Sequence, residues 1–351
     1  MTSAQLDAPS RATPESLKTI INLMGNKYEA NLNADFTLRN LRFNHPEYQR
    51  ITGEIARVHY RSVKLGVPEG LLIYAQSGTG KTTALTEYAA EFPRKRVEGC
   101  MKIPVLYVKT PSRPTVRSLS IAILRSLEDV VPKTGNTETM TSRIAGYFNK
   151  CGVELLIIDE FQHFHYARRS GSHSEVTDWL KLLLETTKVC VILAGLPRSQ
   201  SVINQNEQLS RRFSGSTYMQ PFSITREKDF QIFRGVLKQI HSELPAGSLE
   251  LHDADVARRF FFASEGIIDY VIKIVDRAVS SCCHGNTIGL EDFERAFEKV
   301  VWPGAPKRLN PFSTNPLLRT LNERYEPFAN LDDVSKYRAK STRETEAQGA
   351  A

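Results

Sequence analysis

The stretch LLIYAQSGTGKTTALTEYAA, residues 71–90, decides the fold. It begins as an apolar run, passes through a glycine-bearing turn and ends in a helix that opens with one lysine and two threonines. Positions 75–82, A-Q-S-G-T-G-K-T, fit the phosphate-binding pattern A/G-x-x-x-x-G-K-[ST]. Gly78 and Gly80 let backbone N–H groups turn toward a phosphate with no Cβ in the way. The helix that starts there offers the positive end of its dipole to an anion. Lys81 can reach the outer phosphates of a nucleotide, and the Thr82 hydroxyl can ligate Mg²⁺. Ser77, Thr79 and Thr83 complete the expected nucleotide-binding positions. Ala75 stands where glycine usually opens the pattern, at a strand end that can keep negative φ.

Two further segments share this chemistry. ELLIIDE (154–160) is an apolar strand that ends in paired carboxylates. Asp159 is suited to hold the metal ion, and Glu160 to polarise an attacking water as general base. EQLSRRFSG (207–215) places Arg211 and Arg212 at an expected helix end. An arginine there can cross a subunit boundary and neutralise a neighbour's terminal phosphate in the transition state.

Outward from these motifs, strands are expected at 71–75, 104–110, 153–160 and 189–196, with helices between them. That alternation predicts a parallel sheet covered on both faces. A helix entering at His45-Pro46 is expected to run to about Lys64, and PRKRVEGCMKI reads as a basic connector. Beyond Phe222 the strand pattern stops. Four segments carry apolar residues at helical spacing and predict a small all-helical domain.

The 351 residues suit about two domains. A net charge of +7 is compatible with nucleic acid but does not require it. Five scattered cysteines lack metal-ligand spacing and read as reduced thiols. No signal peptide or bilayer-length apolar run is evident, so a cytoplasmic location and no membrane contact are expected. The absence of an L-S-G-G-Q stretch disfavours an ABC transporter, and the absence of an evident substrate lid disfavours a small-molecule kinase.

Together these pieces resemble an AAA+ ATPase: an α/β P-loop NTPase with a parallel sheet core and a small helical lid domain. LLIYAQSGTGKT, YVKTPSRPTVRSL, LLIIDEFQHF, VILAGLPRS and LSRRF are similar, more finely, to the TniB/TnsC group of transposition regulators, which is related to IstB-type helper ATPases. The resemblance covers about residues 35–300. It implies ATP and Mg²⁺ as cofactors and self-assembly into a ring or helical filament on duplex DNA. It further implies a link between a target-selection protein of the TniQ type and a transposase. Carried over, Lys81 and Thr82 match the phosphate and Mg²⁺ residues, Asp159 and Glu160 the metal and catalytic carboxylates, and Arg212 or Arg211 the arginine finger.

Two departures bear on turnover. The usual polar residue after the fourth strand is replaced by Ala194-Gly195-Leu196, with Ser199 the nearest hydroxyl. The G-x-x-R of the lid becomes Gly266-Ile267-Ile268-Asp269. Hydrolysis is therefore expected to be slow. Lys109, Arg113 and Arg117 surround the P-S-x-P-T loop, with Arg143 and Lys150 on the next helix, and these five are the candidate DNA contacts.

The expected division is an N-terminal extension over 1–50, partly mobile, then a nucleotide-binding domain over 51–222. A helical lid over 223–303 and a flexible tail over 304–351 follow. Leu317, Leu318, Leu321 and Tyr325 fall at helical spacing in that tail, which predicts a short helix for partner docking, with packing onto the chain's own lid as the alternative. A replication initiator or helicase loader shares all these motifs, and a nucleotide-gated scaffold with negligible turnover is the third reading.

Overall fold

The run at 71–75 forms β1 (Gly70–Ala75), and all six residues are buried. In the computed structural model, which describes residues 36–39, 41–166, 172–204, 210–245, 247–282 and 287–329, β1 lies inside a five-stranded sheet. Its partners are β4 (Val105–Lys109), β5 (Leu155–Asp159), β6 (Cys190–Gly195) and β7 (Phe213–Met219), in the order β4-β5-β6-β1-β7. Every pairing is parallel, with Leu72 opposite Leu193 and Lys109 opposite Asp159.

Alternation along the strands sends side chains to two cores. Leu71, Ile73, Leu155, Ile157 and Ile192 face one side, where Ile51, Ile55 and Val58 of α1 (Pro46–Leu65) and Leu85 of α2 (Lys81–Ala90) cover them. Leu72, Leu106, Ile158 and Leu193 face the other. There they meet α3 (Val116–Ser126), α4 (Thr137–Cys151) and α6 (Ser172–Thr187). Short helices α5 (His163–Tyr166) and α7 (Ser199–Asn204) follow β5 and β6.

Local signals explain the helix ends. Pro46 starts α1 behind His45, whose ring accepts from the Tyr48 N–H, and Gly66 closes it at φ 64°. Thr115 and Ser118 form a reciprocal capping box on α3.

Two elements were absent from the sequence reading. The "basic connector" contains an antiparallel hairpin, β2 (Lys95–Val97) and β3 (Cys100–Lys102). Its turn residues Glu98 and Gly99 both have positive φ, the geometry that matches strand twist. The second is β7, which follows Arg211 and Arg212 directly. Those arginines sit in the turn between Ser210, which is helical as the expected helix end requires, and the strand, while residues 205–209 lie outside the described residues.

The chain divides into two compact units. One comprises Asn44–Phe222 with Ile267–Asp269, and the other the segment ending at Phe43, Ser223–Gly266 and Tyr270–Pro327. The boundary thus falls before α1, whereas the sequence reading cut at residue 50. The second unit contains α8 (Glu227–Ser242), α9 (Ala254–Ser264), most of α10 (Ile268–Ser281) and α11 (Leu290–Val300).

Residues 305–327 depart from the expected free tail. Phe312 is buried among Phe260, Phe293 and Phe297, with ring centroids 4.9, 5.6 and 6.5 Å away. Arg259 donates to the carbonyls of Pro311 and Ser313 at 2.8 and 2.9 Å. Leu321 is wholly buried, and its N–H donates to Glu265. Residues 317–325 form no helix, and only Leu317 and Tyr325 of the expected docking stripe are well exposed. This segment is an irregular strap on the helical unit, so the expectation of a docking helix is corrected. Residues 330–351 lie outside the described residues. No described helix is long and apolar enough to cross a membrane.

Candidate functional site

At the C-terminal edge of the sheet, the end of β1 and the end of β5 meet on one carboxylate. Ala75 closes β1, fully buried, and is not among the residues with positive φ. Gly78 and Gly80 are at φ 82° and 96°, so the loop needs glycine there, and Gly80 leads directly into α2. A Cβ on Gly78 would also come within 2.8 Å of Asp269 Cβ. The Asp269 N–H donates to the Gly78 carbonyl at 3.1 Å, so Asp269, the residue in place of the expected lid arginine, touches the loop.

Asp159 is wholly buried at the β5 terminus. The Lys81 ammonium pairs with its Oδ1, and the Thr82 hydroxyl donates to Oδ2 at 2.7 Å. Tyr107, on β4, donates its phenol to Oδ2 at 3.0 Å. The Glu160 N–H donates to Oδ1 at 2.8 Å. Burial alone raises the Asp159 carboxyl pKa, but the Lys81 charge and these hydrogen bonds outweigh it and hold the group below its ordinary range. Tyr107 is pushed up by burial and by the neighbouring Asp159 charge, so it stays a donor. The sequence reading missed Tyr107, because strand register decides which residue of β4 faces the β5 terminus.

Glu160 adopts φ 59°, an uncommon backbone for a residue with a side chain. The loop is anchored on both sides. Thr110 donates its N–H and hydroxyl to the Asp159 carbonyl at 2.9 and 2.6 Å, and the Phe161 N–H reaches the Ala194 carbonyl at 2.8 Å. The Glu160 carboxylate accepts from the Gln162 side-chain amide.

This set fits a nucleotide and a divalent cation. A buried ammonium, a hydroxyl and an aspartate converge beside two left-handed glycines at a helix N-terminus. Ser77, Thr79 and Thr83 frame the same loop, although Thr79 turns its hydroxyl to the Gln76 carbonyl at 2.9 Å.

Arg211 and Arg212 lie elsewhere. Phe213 pairs with Gly70, at the start of β1, and the Arg212 carbonyl accepts from the Gly70 N–H. The phosphate loop follows the other end of that strand, about 20 Å away for six residues. Arg212 pairs with Glu185 at 2.9 Å in an exposed contact, a type that holds a side chain weakly.

The five candidate DNA contacts do not form one cluster. Lys109 and Arg113 are exposed at the C-terminal end of β4. Arg117 is exposed, but its guanidinium donates to the carbonyls of Gly135 and Lys133. Arg143 is a correction. It pairs with buried Asp129 and donates to the carbonyls of Val131 and Thr134, so its role is to lock the α3–α4 loop. Lys150, just before β5 begins, lies at the opposite end of the sheet from Lys109, which pairs with the last residue of β5.

The TniB family, described as "Bacterial TniB protein", matches residues 37–221. No curated protein matches the chain in sequence. Among solved structures, Cdc6p from Pyrobaculum aerophilum aligns at a TM-score of 0.55 and 12% identity, over 76% of this chain and 70% of that one. The Aeropyrum pernix ORC1 protein, solved in complex with DNA, aligns at 0.54 and 17% identity, over 74% and 66%. The Aeropyrum pernix ORC2 protein, solved as ADPNP-ADP complexes, aligns at 0.54 and 13%, over 74% and 70%. At these identities the likeness shows the fold, the α/β P-loop fold of AAA+ ATPases followed by a helical unit, as the sequence predicts.

Proposed function

This chain belongs to the TniB family, and on that premise we propose that it is an ATP-dependent regulator of DNA transposition. In this reading it assembles on duplex DNA as a ring or filament and connects a TniQ-type target selector to a transposase. The observation that carries the ATPase part is the convergence of Lys81, Thr82 and Tyr107 on buried Asp159, beside the Gly78–Gly80 turn.

In the proposed mechanism the loop N–H groups from Ser77 to Thr83 cradle phosphate, and Lys81 exchanges its contact with Asp159 for the outer phosphates. Thr82 and Asp159 would hold Mg²⁺, which when bound supplies charge neutralisation at the phosphates. Glu160 accepts the proton of the attacking water. Arg212, or Arg211 beside it, acts on the nucleotide of a neighbouring copy, because its own phosphate loop is a strand's length away. The unit spanning Asn44–Phe222 carries the nucleotide chemistry, and the helical unit that follows it serves as the lid. Lys109 and Arg113 are the DNA contacts retained, and the DNA-bound state of the ORC1 neighbour supports looking for them.

Two measurements test the reading. Lys81→Ala should abolish binding of a fluorescent ATP analogue, and Glu160→Gln should keep binding while phosphate release falls by about 100-fold or more, the scale of general-base loss. Unchanged nucleotide affinity in Lys81→Ala would sink the site assignment. The apolar Ala194-Gly195-Leu196 strand end favours one second reading, a nucleotide-gated scaffold. Wild-type turnover indistinguishable from Glu160→Gln, with and without duplex DNA, would select it.

A further inference from the structure

Gln162 lies two residues beyond Glu160, and no part of the phosphate chemistry above assigns it a role. Its side chain is buried, 5% exposed, and makes two hydrogen bonds in opposite senses. Nε2 donates to Glu160 Oε2, while Oε1 accepts from the Leu196 N–H at 3.1 Å. The amide cannot be reversed without loss at both ends. Leu196 offers a donor and needs the oxygen, and the Glu160 carboxylate needs the nitrogen.

The space for this bridge exists because residue 195 is glycine. A Cβ there would stand 2.5 Å from Gln162 Oε1 and 2.3 Å from Ser199 Oγ. Ser199 is fully buried, and its hydroxyl makes no hydrogen bond among the described residues. The hydroxyl nearest the apolar end of this strand is thus enclosed beside Gln162.

We propose that Gln162 is a positioning residue for the catalytic step: it fixes the Glu160 carboxylate and ties it to the end of β6. This rests on the ATPase reading above. The β6 terminus carries no polar side chain of its own, and Gln162 supplies the link from that strand to the base. A general base held by one donor presents its free oxygen in one direction. A base without that donor samples several rotamers, and the reacting geometry is populated less often. Nothing in the bridge touches Lys81 or Thr82, so the consequence falls on turnover and not on nucleotide affinity.

Gln162→Glu separates this role from packing. It keeps the shape and the acceptor for Leu196, but replaces the donor to Glu160 with a like charge. Expected for both Gln162→Glu and Gln162→Leu is a fall in kcat of about 10- to 100-fold, the scale of a misplaced catalytic group, with the Kd of a fluorescent ATP analogue within about 2-fold. In a Glu160→Gln background, Gln162→Leu should change the residual rate by less than about 2-fold, because the group it positions is already disabled. Thermal unfolding of nucleotide-free protein gives an independent reading. Gln162→Leu should lower Tm more in wild type than in Glu160→Leu. Unchanged kcat in Gln162→Glu, an undiminished effect in the Glu160→Gln background, or additive Tm shifts would each overturn the proposal. A wild type that binds ATP but never turns it over overturns the ATPase reading instead, and the Tm cycle still decides whether the bridge exists.

Discussion

Lys81 is 8% exposed and faces a carboxylate that is wholly buried. Removing one member of such a pair leaves an uncompensated charge, a cost of about 3–5 kcal/mol. Asp159→Asn should therefore destabilise the nucleotide-free protein by about 3 kcal/mol on that principle, measured by urea unfolding. Lys81→Met added to it should cost less than the sum of the two single changes. Additive losses would show that the two groups do not depend on each other. Lys81, Asp159 and Glu160 were legible because their signals are local: a glycine turn entering a helix, and acids ending an apolar strand. Tyr107 and Gln162 were not. One depends on the register between β4 and β5, the other on a bond across a loop to β6, and neither relation is written in neighbouring residues.

At the scale of elements, the strap over 305–327 makes two predictions. Arg259→Ala removes the donor to Pro311 and Ser313, and should cost about 1–3 kcal/mol, the range for leaving buried acceptors unpaired. Faster cleavage within 305–327 by limited proteolysis is the expected readout, and an unchanged cleavage pattern would exclude this anchor. Glu265 gives the second. Burial, with Glu326 nearby, raises its carboxyl from 4.5 to about 7, against the opposing hydrogen bond from Leu321. The folded state therefore holds its proton more tightly than the unfolded chain. Stability contributed by this group is present below pH 4.5 and is lost as pH rises through about 7. Glu265→Gln keeps an acceptor for Leu321 and should flatten the fall in unfolding free energy between pH 5 and pH 8, followed by urea unfolding, by on the order of 2 kcal/mol after allowing for partial solvent access. A wild-type slope in that variant would remove Glu265 as the cause. The apolar positions of the strap suggested a helix by their spacing. Its partner is the aromatic cluster around Phe260, and a tertiary contact of that kind overrides periodicity. β7 escaped notice for a related reason: FSGSTYM has glycine, serine and threonine where a core strand would be apolar, and its pairing with β1 joins residues far apart in the chain.

For the whole molecule, the alternation of strands and helices was sufficient to predict a parallel sheet, whereas the charge pattern was a poor guide to surfaces. Five basic residues named together as candidate DNA contacts are spread between the two ends of the sheet, and one of them is a structural lock. On the proposed reading, Lys109→Glu with Arg113→Glu should weaken duplex DNA binding for every sequence and make the salt dependence shallower by about 2, one counterion-release increment for each lost phosphate contact. A wild-type slope would move the DNA path elsewhere. The position of Arg212 at the far end of β1 from the phosphate loop has a consequence for what counts as one enzyme. If the arginine and the nucleotide it serves belong to different copies, a single polypeptide holds two halves of two different machines and no complete one. Specific activity should then rise with protein concentration and collapse on dilution. Lys81→Ala and Arg212→Ala, each inert by itself, should recover phosphate release when mixed, since one donates the intact pocket and the other the intact finger. Inert mixtures, or activity independent of dilution, would show that each chain works alone.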